Sequence, residues 1–401
     1  MSSFLRQAEE IFESAAHGRE DCQLAILVGR DGGIHMLADS GWDLDRLREH
    51  HAATTAYRIV RRDGQVEIEA RAVGQSCVLR QEAPARRLVP PVPPFQLLAD
   101  PPSWDNADVS EPRLHQIHLR GIELAAWEWP GDGPPLFFVH GTGFHGRVWD
   151  TTIRALAGRR AISFELRGHG RSSKPAPPYP WAEFGYDLAA AAESLGIEGA
   201  IGIGHSTGAH ALVTATVERP STFASLLLID PTIFPREYYG NDQGDTSFIE
   251  RRRNVFASPE EMIERFRGRP PFSLWHADVL RDYCTYGLLP EGDHFVLACP
   301  AHIEAAVYRE AAVPAADLHG IVPSIEQPVT VVRGGFPWEP GVFNLNASPT
   351  APDLAACFPN GRALLLEGRT HYIPMESPEW VAAQVAAISD RTTRNVESVR
   401  P

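Results

Sequence analysis

Ser206 stands in Gly204-His205-Ser206-Thr207-Gly208, after the apolar run AIGI and before the small-residue run AHALVTATV. The first run reads as a strand and the second as a helix, so the serine falls at the turn between them. A G-x-S-x-G turn in that setting thrusts the serine hydroxyl out above a sheet edge, where it can act as a nucleophile. Small residues on either side let the backbone fold that sharply without Cβ clashes. The helix that follows brings its free N–H groups and positive dipole end to the same spot.

A serine hydroxyl attacks poorly until a base takes its proton, and histidine is the usual base near neutral pH. His371, in ALLLEGRTHYIPMESPEW, is the only histidine placed after the last strand of the chain's alternating region. His140, His169, His205 and His210 read as structural. Acyl transfer also needs two N–H donors aimed at the oxygen that becomes negative. The amide of Thr207 is one candidate. The other lies in LFFVHGTGFHG, residues 136–146, with Thr142 the expected donor. A phosphate-binding reading of that loop needs G-x-G-x-x-G spacing followed by an acid after the next strand, which is not met cleanly.

These residues sit in a region of regular rhythm. The strands LFFVHG, AISFELRGHG, AIGIGHS, ASLLLID, PVTVVRG and RALLLEG alternate with the helical segments VWDTTIRALAG, WAEFGYDLAAAAESLG, TGAHALVTATVERP, SPTAPDLAACF and PEWVAAQVAAIS. Such alternation predicts a doubly wound, mostly parallel sheet of the α/β class. IHLRG and IELAAWEW read as an antiparallel entry pair. The core is expected over 113–231 and 322–392. Between them, 232–321 breaks the rhythm and reads as a mainly helical cap rich in aromatics. Phe144 and His145 of the glycine loop, with Trp275, Tyr283 and Tyr286 of the cap, are expected to line an apolar pocket over Ser206.

Ahead of the core, residues 86–112 carry three Pro-Pro pairs and read as a semi-rigid linker. Residues 1–85 read as a small α+β domain: FLRQAEEIFESAA and DLDRLREHH as helices, QLAILVG, IHML, AYRIVRR, QVEIEARA and SCVLRQ as strands, with an Asp63-Gly64 hairpin between two of them. His50 and His51 read as a solvated helix end rather than metal ligands. The domain holds no clustered chemistry, which leaves self-association or partner binding as its expected roles.

Composition narrows the function classes. The 401 residues are 43% hydrophobic and 22% charged, an ordinary globular balance. A net charge of −14 argues against a nucleic-acid binder. No apolar run approaches the roughly 18 residues needed to span a bilayer, and no signal-peptide core is seen near the N-terminus. Five scattered cysteines without a CxxC pair fit reduced thiols in the cytoplasm. No metal or cofactor is implied, and the expected partner is a small acyl substrate.

In order along the chain, HGTG at 140, RGHGRS at 167, GHSTG at 204, LLLID at 226 and THYIPMESPE at 370 resemble the α/β-hydrolase family over residues 113–392. The resemblance implies an eight-stranded, mostly parallel sheet, a cap inserted after the strand ending near Asp230, and a Ser-acid-His triad. It implies a serine hydrolase acting on a carboxylic ester, lactone or similar acyl group. Epoxide hydrolases and haloalkane dehalogenases carry aspartate where Ser206 stands. Carbon–carbon bond hydrolysis and cofactor-free haloperoxidase chemistry also use a serine and stay open. So does a binding or sensing protein on a hydrolase scaffold. The acid departs from the family's commoner pattern. After PVTVVRG, where it usually stands, the only acid in the loop is Glu339, between Trp338 and Pro340. Asp230, at the end of ASLLLID, is preferred over Glu339 because its strand end is well defined and lies on the catalytic edge of the sheet.

Overall fold

A computed structural model describes residues 111–398, apart from 157, 242–245, 337–343 and 345, together with five strands between 23 and 80. The chain divides into two compact units, 1–100 and 101–401. In the first, β1 (Gln23–Val28), β2 (Ile34–Ala38), β3 (Thr55–Arg62), β4 (Gln65–Ala72) and β5 (Gln75–Arg80) form an antiparallel sheet in the order β2-β1-β3-β4-β5. Arg62 pairs with Gln65, the register expected for the Asp63-Gly64 hairpin. The two helices expected here, His50 and His51 with them, and the proline-rich segment lie outside the described residues.

The second unit is built on eight strands: β6 (Arg113–Leu119), β7 (Ile122–Trp129), β8 (Asp132–Val139), β9 (Arg159–Glu165), β10 (Ala200–His205), β11 (Phe223–Ile229), β15 (Val329–Gly334) and β16 (Gly361–Leu366). Their order is β16-β15-β11-β10-β8-β9-β7-β6. The six strands from β16 to β9 run parallel, and β7 and β6 add an antiparallel edge. This is an α/β-hydrolase fold.

The period-2 alternation of each strand feeds two separate cores, one on each face of the sheet. Phe137, Val139, Leu226, Leu228 and Val331 face one; Leu136, Phe138, Leu227, Ile229 and Val332 face the other. β10 shows why its sequence alternates isoleucine and glycine. Ile201 and Ile203 fill the second core. On the opposite side Gly202 and Gly204 leave no room for a side chain: a Cβ on Gly204 would lie 2.7 Å from the Ala209 backbone. The helix Thr207–Glu218 therefore packs directly against the strand that launches it.

The insert after β11 carries helices Ser247–Glu250, Pro259–Phe266, Ala277–Tyr286 and Ala301–Arg309. It also contains a small antiparallel sheet of β12 (Val255–Phe256), β13 (Leu288–Glu291) and β14 (His294–Leu297), which its aromatic-rich sequence did not announce. Phe256, Met262, Trp275, Val279, Tyr283 and Cys284 share a core with Phe144, Val148 and Trp149 of the glycine loop and the turn after it. The cap is thus continuous with the hydrophobic interior. The segment expected as one helix at 148–158 is shorter, a 3-10 turn Gly146–Trp149 leading into Asp150–Arg154.

Candidate active site

The turn at Ser206 has the strain that its glycines imply. Ser206 sits at φ 56° and ψ −121°, in the left-handed half of the map that L-residues rarely occupy. Its N–H donates to Ile229 O at 3.1 Å, and its carbonyl accepts from the amides of Ala209 and His210 at 3.1 and 3.2 Å. Neighbouring strand and helix thus hold the strained residue from both sides. A Cβ on Gly208 would stand 2.4 Å from Val139 O and 2.5 Å from His140 O, both rigid backbone atoms. Gly208→Ala should therefore destabilise the fold by roughly 3 kcal/mol or more, read as a fall in the thermal midpoint. An unchanged midpoint would show that the turn relaxes freely.

Ser206 Oγ lies 2.9 Å from His371 Nε2, and His371 Nδ1 lies 2.7 Å from Asp230 Oδ2. All three are buried, Asp230 completely. The carboxylate can only accept, so His371 carries its proton on Nδ1 and presents Nε2 as an acceptor to the serine hydroxyl. Asp230 Oδ1 accepts from the Gly334 amide at 2.8 Å and from Ser348 Oγ at 2.6 Å, with Thr350 Oγ1 at 3.5 Å. Asp230 itself is at φ 44°, a conformation that aspartate tolerates better than most residues. Thus the end of β15, where an acid is commonest, supplies a backbone donor to an acid on the neighbouring strand. Glu339 lies outside the described residues.

Two further side chains meet this row: Thr232, which the sequence reading did not single out, and His205, which it read as structural. Thr232 Oγ1 is 3.0 Å from Ser206 Oγ. His205 Nε2 donates to the carbonyl of His371 at 2.8 Å, while the His371 amide donates to Asn346 O at 2.9 Å. Burial holds the His205 ring well below its usual pKa, aided by the neighbouring His371 ring 4.8 Å away. A neutral His205 therefore anchors the backbone of the histidine that faces Ser206. The structural reading of His205 therefore holds, while its partner, 166 residues away, is given only by the fold. His140 acts similarly in its own loop: Nε2 accepts from the Leu166 amide and Nδ1 donates to Gly141 O.

The loop 140–144 passes close to this turn. A Cβ on Gly141 would lie 2.9 Å from Ser206 Cβ. Thr142 Oγ1 and Thr207 Oγ1 are 2.6 Å apart. The amide of Thr207 is the first of its helix, and neither it nor the amide of Thr142 has an acceptor among the described residues.

A cavity of about 180 Å³ opens beside Thr142, walled by Phe144, Phe272, Trp275, Tyr283 and Tyr372 among others. Phe144, Trp275 and Tyr283, three of the five residues expected to line a pocket over Ser206, line it; His145 and Tyr286 do not, and Ser206 and His371 are not among its lining residues. His145 is packed behind the wall, stacked on Tyr283, with Nε2 donating to Tyr283 O at 3.1 Å. Burial lowers its pKa to about 3, so the ring stays neutral. Tyr286, one helical turn past Tyr283, instead lies over the Arg147 guanidinium at 3.9 Å, a cation–π contact that turns it away. Among the described residues no group of three or more His, Cys, Asp or Glu side chains could hold a metal ion, and no helix is long and apolar enough to cross a membrane.

The sequence pattern of the alpha/beta hydrolase family matches residues 136–384. The chain is 35% identical over 287 residues to the (lyso)-N-acylphosphatidylethanolamine lipase of Bos taurus, covering 65% of this chain and 80% of that one. It is 28% identical over 255 residues to the 2-(acetamidomethylene)succinate hydrolase of Mesorhizobium japonicum, 62% of this chain and 85% of that one. Its match to the bifunctional esterase/perhydrolase of Acinetobacter calcoaceticus, 35% over 91 residues, spans only 33% of that relative. Among solved structures, E-2-(acetamidomethylene)succinate hydrolase superposes with a TM-score of 0.58 at 24% identity, covering 70% of this chain and 99% of that one. The chain belongs to the alpha/beta hydrolase family.

Proposed function

We propose that this alpha/beta hydrolase is a serine hydrolase that cleaves a carboxylic ester, lactone or similar acyl substrate. The observation that carries the reading is the unbroken row from Ser206 Oγ through His371 to Asp230, with contacts of 2.9 and 2.7 Å. Ser206 Oγ attacks the acyl carbon as His371 Nε2 takes its proton. Asp230 stays ionised, keeps the tautomer and stabilises the imidazolium. The free amides of Thr142 and Thr207 hold the oxyanion. His371 then returns the proton to the leaving alkoxide. Water enters and gives its proton to the same nitrogen as its oxygen bonds the acyl carbon; the acyl–Oγ bond then breaks, His371 returns the proton to Ser206 Oγ and the acid leaves. The Thr232 hydroxyl, donating to Ser206 Oγ, fixes the serine rotamer for attack. Relatives named as a lipase, an esterase and a succinate-derivative hydrolase support acyl transfer as the reaction class. Every group named lies in residues 142–371, so the N-terminal unit supplies none of them.

The test is covalent. A fluorophosphonate probe should label the wild-type protein at Ser206 and leave Ser206→Ala unlabelled, because only an activated serine reacts. A wild-type protein that stays unlabelled, and turns over no member of a panel of p-nitrophenyl esters and lactones, would favour a binding protein on this scaffold.

A further inference from the structure

The cavity beside Thr142 has one polar flank. Against Phe144, Phe248, Phe266, Phe272 and Trp275 stand Arg252 and Glu304. Arg252 Nη1 donates to both carboxylate oxygens of Glu304, at 2.7 and 2.6 Å. The Glu304 side chain is only 5% exposed, that of Arg252 29%. A Cβ on Gly143 would stand 2.9 Å from Glu304 Oε1, so this pair lies one residue away from Thr142.

Resting on the serine-hydrolase reading, we propose that this flank selects a neutral group that both donates and accepts hydrogen bonds, such as a primary amide, on a ring-sized part of the substrate. Three considerations meet there. The ion pair has no net charge, so a substrate carboxylate would lose water beside the Glu304 carboxylate without a free cation to balance it. A plain alkyl group would lie against the Glu304 carboxylate and the Arg252 guanidinium without a hydrogen bond to either. An amide satisfies both sides: its carbonyl accepts from Arg252 and its N–H donates to Glu304. Size agrees, since an apolar cavity of about 150 Å³ takes one benzene ring and this one measures about 180 Å³.

The test uses three p-nitrophenyl esters of equal chain length, those of hexanoic acid, of adipic acid monoamide and of adipic acid with its far carboxylate free. For the wild-type protein kcat/KM should be highest for the amide, by at least about tenfold over each of the others. Glu304→Gln removes the negative charge, leaves Arg252 cationic, and should move the free-carboxylate ester to first place. If that variant fails to fold, Arg252→Lys, which keeps the charge and loses the forked donors, should shrink the amide-to-hexanoate ratio several-fold. A wild-type ranking that is flat, or led by hexanoate or by the anion, overturns the proposal. An unchanged ranking in folded Glu304→Gln does the same. Fluorophosphonate labelling of the same preparations separates the two ideas. Labelled Ser206 with a flat ranking sinks only the selectivity. No labelling and no turnover of any ester sinks the serine-hydrolase reading as well.

Discussion

Ser206→Ala should lower kcat by about 10⁴-fold or more on any ester that the wild-type protein cleaves, with the fold unchanged. In serine hydrolases, losing one member of the triad forfeits the whole covalent route and leaves only what binding and the oxyanion donors contribute. Alanine can occupy φ 56° about as well as serine does, and the backbone bonds to Ile229, Ala209 and His210 involve no side-chain atom. What is lost is one hydroxyl: His371 keeps its bond to Asp230, and the buried Thr232 hydroxyl gives up one contact. That costs about 1 kcal/mol. The thermal midpoint should accordingly shift by no more than about 4 °C. Measured rates within tenfold of wild type, in protein with a normal melting curve, would end the nucleophile assignment.

Asp230→Asn should be nearly as damaging, for a reason legible in the hydrogen bonds. Oδ1 receives the Gly334 amide and the Ser348 hydroxyl, so the asparagine carbonyl must take that place. Its NH₂ then faces His371 Nδ1, where it can only donate. The histidine is forced into the opposite tautomer, with the proton on Nε2, and can no longer accept from Ser206. A loss of about 10⁴-fold in kcat is expected, with little change in stability because the donors to Oδ1 stay satisfied. Glu339→Gln, made in parallel, should stay within a few-fold of wild type. The reverse pattern, with Glu339→Gln crippled and Asp230→Asn near normal, would move the acid to the loop after β15.

The sequence reached far because several of its constraints are local. Ile201-Gly202-Ile203-Gly204 alternates with period 2, which already states which face of β10 must be filled and which must admit a helix. Gly204 and Gly208 flank a serine at a strand-to-helix turn that nothing bulkier could make. The order of apolar runs and helical segments likewise specified a mostly parallel sheet, because each element's period is set by its own residues. The pairing of β6 with β7 was legible for the same reason, since only two residues separate them.

Other features depended on atoms brought together from far along the chain. Two acids competed on sequence, and what distinguishes Asp230 is a bond to His371, 141 residues on, and a pocket of donors from Gly334 and Ser348. Thr232 was not assigned, and His205 was read as structural without a partner, because a hydroxyl or a ring nitrogen has no specific role until the group it bonds is known. Tyr283 and Tyr286 are one turn apart on one helix, yet one lines the cavity and the other covers Arg147, a choice made by a cation donated from another element. The small sheet in the cap was hidden because its strands are two to four residues long, too short for a period to register. Sequence thus determined the elements and the reactive turn, whose causes are periodicity and backbone sterics within a few residues. Only the tertiary structure decided which acid, which tautomers and which aromatics belong to the site, because each of those follows from a hydrogen bond or a desolvated contact between groups that the chain itself keeps far apart.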